Sequence, residues 1–548
     1  MIWLIQDFDL LSVLLRALTL SLEALTVGGV LFLLLIATPA TAEANARQGA
    51  MRFCGWAALG LAIAQILSAA ESAITLMGGS GLSFHDVATA DFFLADVVIF
   101  VAALLLFFLL RFPSKFSGYA APVLALIILS GSVALSHAAS RLDHRLLLTL
   151  LTAAHHLGSA AWIGAMPCLL VTMRRSQDSA RLHALVRRFS NVAIVSVAVL
   201  VLAGVGMAIF YVGSWNGLYG TSYGLMLLAK IYLLLLILGL GASNFFLLKR
   251  TRQEAKPLLM RLRRFSEAEI GLGFTAILVA ASLTSQPPAA DMTAGLSSDR
   301  LSAHEIAERM AWKAPTLTTP SFAQLAKRAP LKQQLVDSSF TGGSVNDAMD
   351  QAWSEYNHHW AGIIVLAAGL FACCANLFSR RWPRNWFRNW PLLFIGLGVF
   401  IVLRADADAW PLGPRPFWGS FAEPEVLEHR IFALIITAFA VFEWAVETGR
   451  LQSRRAALVF PALCAFGGAL LVTHSHALGA LKEETLVEMS HTPIALLGAT
   501  AGWSRWLQLR LPEPPASARD AKIIAVLNWI WPVCLALVGL ILLNYRES

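Results

Sequence analysis

Histidines carry most of the potential chemistry in this chain, and several stand beside sulfur or carboxylate side chains. The run HHLGSAAWIGAM begins at His155 and His156. On a helix, positions seven and eleven residues further on return to nearly the same face, so His155, Trp162 and Met166 form one stripe offering nitrogen and thioether ligands. Gly158 and Gly164 would let a neighbouring helix approach closely, as a ligand shared between helices requires. The plainer alternative is a packing seam with His155 bonded to a backbone carbonyl. In WSEYNHHWAG, Glu355 precedes His358 by three residues and His359 by four, which puts a carboxylate and imidazoles on one face if the helix starts before the apolar segment. That pattern suits a metal entrance, and it equally suits an interfacial belt built on Trp353, Tyr356 and Trp360. In THSHALGALKEETLVEMSH, His474 and His476 end one apolar segment while Met489 and His491 open the next. A hairpin there would gather three imidazoles and a thioether, a set able to hold either oxidation state of copper.

The elements that must position these groups are membrane helices. Of 548 residues, 57% are hydrophobic and 14% charged, and the mean hydropathy is +0.65. Apolar runs of about 20 residues recur from end to end, which excludes a soluble enzyme; their unbroken apolarity excludes an outer-membrane barrel, whose strands alternate. The reading is an all-α, polytopic inner-membrane helical bundle. Segments near 10–36, 52–77, 92–111, 118–138, 146–171, 190–212, 222–247 and 266–285 precede a polar stretch, and others near 358–378, 389–403, 429–448, 456–475, 489–508 and 522–543 follow it, about 14 transmembrane helices in all. Four parts result: N-terminal helices over 1–144, a second helical domain over 145–290, a small periplasmic linker or cap over 291–356, and a C-terminal transmembrane domain over 357–548.

The net charge of +8 does not mark a nucleic-acid partner, because the basic residues lie in short loops between apolar segments. Every second connection is basic, from Arg47 through Arg174, Arg175 and the run Lys249 to Arg264, on to Arg380, Arg450 and Arg510. Short basic loops face the cytoplasm, so both termini and the polar stretch face the periplasm. Under this topology only His183 of the thirteen histidines faces inward. A one-sided set of imidazoles argues for a shared metal-related task, with copper, zinc, nickel and haem iron all suited to it. Arg16 and Glu23, seven residues apart, join Glu71, Asp96, Lys230 and Glu443 as ionisable groups inside apolar segments, and some of these must form interhelical pairs. The six cysteines show no CxxC spacing, so neither a disulfide framework nor a zinc motif follows.

Three runs, AAHHLGSAAWIGAMPCLL, GTSYGLMLLAKIYLLLL and RRFSEAEIGLGFTAILVAASLTSQPPA, together resemble the copper resistance protein D (CopD) family over residues 145–290. The matching positions are His155, Trp162 and Gly164, then Gly224, Leu227 and Lys230, then Glu269 and Pro288, with Ala165 where the family has a second glycine. The resemblance implies copper handling across the inner membrane, without an ATPase domain and usually with a periplasmic copper chaperone as partner. The remaining half looks like the C-terminal extension of long family members. The leading expectation is therefore a non-enzymatic copper-binding membrane protein for uptake or resistance. A haem-binding membrane oxidoreductase is the rival, since histidines on adjacent helices can ligate haem axially, and a copper-delivery assembly factor is a third reading.

Overall fold

The computed structural model describes residues 8–250, 256–293, 300–319, 348–378, 381–382, 385–406, 409–422, 424–472, 481–511, 515 and 518–546. Among them no β-strand forms; apart from one isolated bridge between Ala409 and Arg415, the secondary structure is helical. All fourteen segments expected from hydropathy coincide with helices. Twelve are long and apolar enough to cross a membrane. Of the other two, one is short, Ala456–Leu471. The second, Leu481–Arg510, opens with Lys482, Glu483 and Glu484, and its remainder mixes apolar residues with Ser490, His491, Thr492, Pro493 and Thr500, less apolar than an ordinary span.

The chain divides into two compact units, one of residues up to Ser214 with Tyr232–Asp291, the other of Trp215–Ile231 with residues from Met292 onward. In the first unit, α1 (Phe8–Leu31) continues into a π turn, Phe32–Ile36. Around it pack α2 (Ala44–Ser80), α3 (Asp91–Arg111), α4 (Ser117–Ala134) and α5 (Arg145–Ser159). A second π turn, Ala160–Gly164, joins α5 to α6 (Met166–Arg175), and α7 (Ser179–Val212), α8 (Ser222–Arg250, whose residues up to Ile231 belong to the second unit) and α9 (Lys256–Ser285) follow. Hydrophobic driving force is weak between helices in lipid, so small residues that permit close approach carry the association. They do so here. A Cβ on Gly164 would collide with the Ala24 carbonyl, one on Gly28 with the Ala160 carbonyl, and one on Gly158 would lie 2.8 Å from the Ser196 carbonyl. The segment from α5 to α6 is thus held backbone to backbone against α1 on one side and α7 on the other.

The second unit contains a short helix α10 (Ala303–Met310), then α11 (Ala348–Phe378), α12 (Leu392–Arg404), α13 (Pro424–Glu447), α14 (Val459–Leu471), α15 (Leu481–Arg510) and α16 (Ala518–Leu543). Gly362 and Gly369 of α11 face the backbone of α16 at Leu542 and Ala536, while Gly468, Gly498 and Gly502 bring α14 against α15. The core between them is aromatic. Trp390 and Trp531, each 1% exposed, lie with ring centroids 5.3 Å apart, and Phe394, Phe439 and Phe460 close the cluster. Edge-on aromatic pairs of this kind contribute about 0.5–1.5 kcal/mol each beyond area burial.

Candidate metal-handling sites

The first unit holds a chain of polar groups inside its spans. Glu23 of α1 is buried; its Oε1 lies 3.2 Å from His156 Nδ1, and its Oε2 accepts from Ser132 Oγ at 2.5 Å. Arg16, Thr19, Gln65 and Ser132 line a small cavity with Glu23, and the Gln65 amide donates to buried Asp96. Five helices, α1 to α5, each contribute at least one of these groups. Charged and polar residues are expensive inside a membrane and persist where they pair with one another, as these do.

His155 turns the other way. Its Nδ1 lies 3.1 Å from the Leu200 carbonyl of α7, and its ring lies beside Gly204, where a Cβ would stand 3.5 Å away. An Nδ1–H donated to a carbonyl leaves the lone pair on Nε2, which is also how metal-ligating imidazoles are usually held. The geometry therefore accommodates the packing seam and a ligand alike. The stripe from His155 to Met166 does not follow simple helix arithmetic, because the π turn Ala160–Gly164 inserts an extra residue between them. Trp162 and Met166 are buried, at 4% and 1% exposure.

In the second unit α11 does begin before the apolar segment, as the grouping of Glu355 with His358 and His359 required. Glu355 makes no hydrogen bond to either histidine among the described residues. His358 Nδ1 instead meets the Ser354 carbonyl at 2.9 Å, and its ring stacks on Tyr545 at 3.8 Å between centroids. His359 is buried, with Nε2 2.9 Å from the Tyr545 carbonyl and Nδ1 accepting the Thr316 amide at 2.8 Å or donating to the Thr316 carbonyl, 3.1 Å away, according to its tautomer. His491 reaches the same place from α15: its ring is 5.9 Å from His358 and 5.8 Å from Tyr545, and its Nδ1 meets the Val487 carbonyl at 3.0 Å. The aromatics flanking the pair have structural partners, since Trp353 donates to the Ala405 carbonyl and Arg404 lies over the Trp353 and Tyr356 rings.

The expected hairpin grouping places His474 and His476 with Met489 and His491. The first two lie outside the described residues. The following helix starts at Leu481, so His491 sits ten residues into it, about 15 Å along its axis. Met489, two residues before His491, is half-buried. Among the described residues no three His, Cys, Asp or Glu side chains converge on one point as a metal site. What sequence reading missed is mainly partners: Ser132 for Glu23, Tyr545 for His358, and Arg505, which lies 2.7 Å from Glu443 and 2.8 Å from Glu447. Glu23 and Glu443 did carry a signal, as acids in apolar runs; their partners did not.

Residues 183–283 match the family "Copper resistance protein D". This range includes Gly224, Leu227, Lys230 and Glu269 and begins after the run containing His155 and Gly164. Among curated proteins, the "Copper transport protein CutJ" of Bacillus subtilis (strain 168) is 28% identical over 177 residues, which is 32% of this chain and 32% of that protein. The chain thus spans about a third of the length of the curated relative it matches. No solved structure matches it. The chain is a multi-pass membrane protein, helical throughout its described secondary structure apart from one isolated bridge, with a segment, residues 183–283, that matches the copper resistance protein D family.

Proposed function

We propose that this protein moves copper from the periplasm across the bacterial inner membrane, in uptake or resistance, by exchange between histidine and methionine ligands. The observation that carries this reading is the family segment lying in the same chain as a connected intramembrane polar path, in which His156 meets Glu23 and Glu23 meets Ser132. Copper is cargo here, not a resident cofactor, and the reading is of a non-enzymatic carrier. Entry ligands come from His358, His359 and His491 with Glu355 and Met489, joined by His474 and His476, and deeper ligands from His155, His156 and Met166. Both termini face the periplasm, where a copper chaperone would deliver the ion.

Reconstituted vesicles test it. Copper accumulation should fall by at least about tenfold in H156A and H491A, since even outer partners of a metal site alter affinity 10–100-fold, while H183A should transport normally. Equal loss in all three would count against the assignment. An intense Soret band in the purified protein that disappears in H155A or H156A, with no copper retained, would replace copper transport by haem-dependent oxidoreduction.

A further inference from the structure

Cys54 of α2 and Cys168 of α6 lie 114 positions apart in sequence, and no motif joins them. The fold brings them together over Gly29 of α1. The point where a Gly29 Cβ would stand is 2.7 Å from Cys54 Sγ and 3.6 Å from Cys168 Sγ, which caps the separation of the two sulfurs at about 6 Å. Both cysteines are fully buried and both are free thiols. Resting on the copper reading above, we propose that Cys54 and Cys168 form a two-coordinate site for monovalent copper, set deeper than the histidines and towards the basic end of the bundle.

Four observations support this assignment. Thiolates are soft ligands that select monovalent copper, and that ion is satisfied by two donors where zinc asks for four. The absence of any three-ligand cluster among the described residues is therefore no obstacle. Second, Thr26 has a buried hydroxyl without a hydrogen-bond partner among the described residues, while its carbonyl accepts from Cys54 Sγ at 3.5 Å. A buried donor left unmatched is costly. In the proposed site the Cys54 sulfur, having given up its proton, would be the acceptor for that hydroxyl. Third, both π turns border the pair: Phe32–Ile36 starts three residues after Gly29, and Ala160–Gly164 ends four before Cys168. Such turns concentrate at functional sites. Fourth, the Arg175 guanidinium packs on Gly49, five residues before Cys54, with its nitrogens 2.9 Å from where a Cβ would be.

That charge matters because binding changes the balance. One Cu(I) displaces two thiol protons, which leave to water; two S–H bonds break, two Cu–S bonds form, and the product carries a net charge of minus one, with the Arg175 cation five residues along α2 at Gly49. No oxidant or reductant takes part. Cys168 is thirteen residues beyond His155, roughly 20 Å along the helix, so an ion passing inward would leave imidazole for thiolate. Exchange to softer ligands holds copper in its monovalent state at the exit.

The purified full-length protein, loaded anaerobically with Cu(I) against a competing chelator, should show two sulfur neighbours in its copper-edge X-ray absorption. C54S and C168S should each lose that scattering and bind Cu(I) at least about tenfold more weakly, T26V should weaken binding with the sulfurs retained, and C373S/C374S should match the parent. If the cysteine variants fail to fold, the unmodified protein still decides: Cu(I) should slow the labelling of Cys54 and Cys168, but not of Cys373, by a maleimide during a graded denaturant pulse that opens the buried sites, read by peptide mass spectrometry. Copper bound through nitrogen and oxygen alone, or sulfur scattering that survives in C54S/C168S, overturns the site and leaves copper transport standing. A protein that binds no copper overturns both.

Discussion

Gly164 and Ala24 touch through their backbones, with the Ala24 carbonyl occupying the space that a side chain on Gly164 would need. Because Gly28 makes the reciprocal contact with Ala160, the first helix and the second π turn are locked by two glycines. Forcing a methyl group between backbones cannot be relieved by a rotamer change, so the cost lies at the upper end of the range for overpacking, about 3 kcal/mol. G164A and G28A are expected to lower the thermal midpoint in detergent, whereas G239A, which meets nothing within 4 Å, should leave it unchanged or raise it slightly.

Arg505 is the centre of a buried ion network in the second unit. It bonds Glu443, which is fully buried, and Glu447, which also lies 3.3 Å from Arg388. Removing the cation leaves two carboxylates without their main partner, a loss of about 3–5 kcal/mol. R505A should therefore reduce the folded yield sharply, and R505M combined with E443Q should recover part of it. Equal yields for the single and the paired replacement would show that the network contributes little.

The loop before α3 offers a pH readout. Ser83 Oγ and its amide bond the Asp86 carboxylate at 2.6 and 3.1 Å, holding that carboxyl below its ordinary range. A carboxyl whose folded pKa is depressed stabilises the fold above its unfolded value and loses that contribution as pH falls through the lowered one. Amide exchange at Asp86 and Val87 should speed up on acidification through that window. In S83A, which removes the hydroxyl but keeps the amide bond, the transition should move up towards the usual aspartate range.

Orientation is accessible to labelling. With basic loops inside and both termini outside, engineered cysteines near positions 295 and 335 should react with an impermeant maleimide in spheroplasts. One near position 256 should not. The reverse pattern would invert the proposed direction from histidine to cysteine.

Hydropathy alone located the helices, since a run of 20 apolar residues has one economical solution in lipid. It also flagged Glu23, Asp96 and Glu443 as groups needing partners. The partners were illegible for a physical reason: Ser132 is 109 positions from Glu23, and Arg505 is 62 from Glu443, distances at which only helix packing decides contact. The Met166 stripe failed as a simple face because a constant 3.6-residue period was assumed across a turn that does not keep it. His491 was read as opening a helix because the charged residues before it, Lys482 to Glu488, look like a loop by composition, yet they form its first turns. Cys54 and Cys168 lacked any local spacing to announce them.

A π turn is a phase shift. Each α-helical residue advances the azimuth by about 100°, and the extra residue in Ala160–Gly164 offsets everything after it by roughly that amount. One continuous rod can thereby present His155 to α7 and, past the offset, Cys168 to α1, two directions that an unbroken α-helix with the same number of residues would not supply together. Excising a single residue from the turn would restore the ordinary pitch and leave Cys168 on its present face, whereas adding one would swing it by about 100° away from Cys54. Loss of one residue at Ala160 or Ala161 is thus a length change the downstream faces can absorb, while gain of one is not.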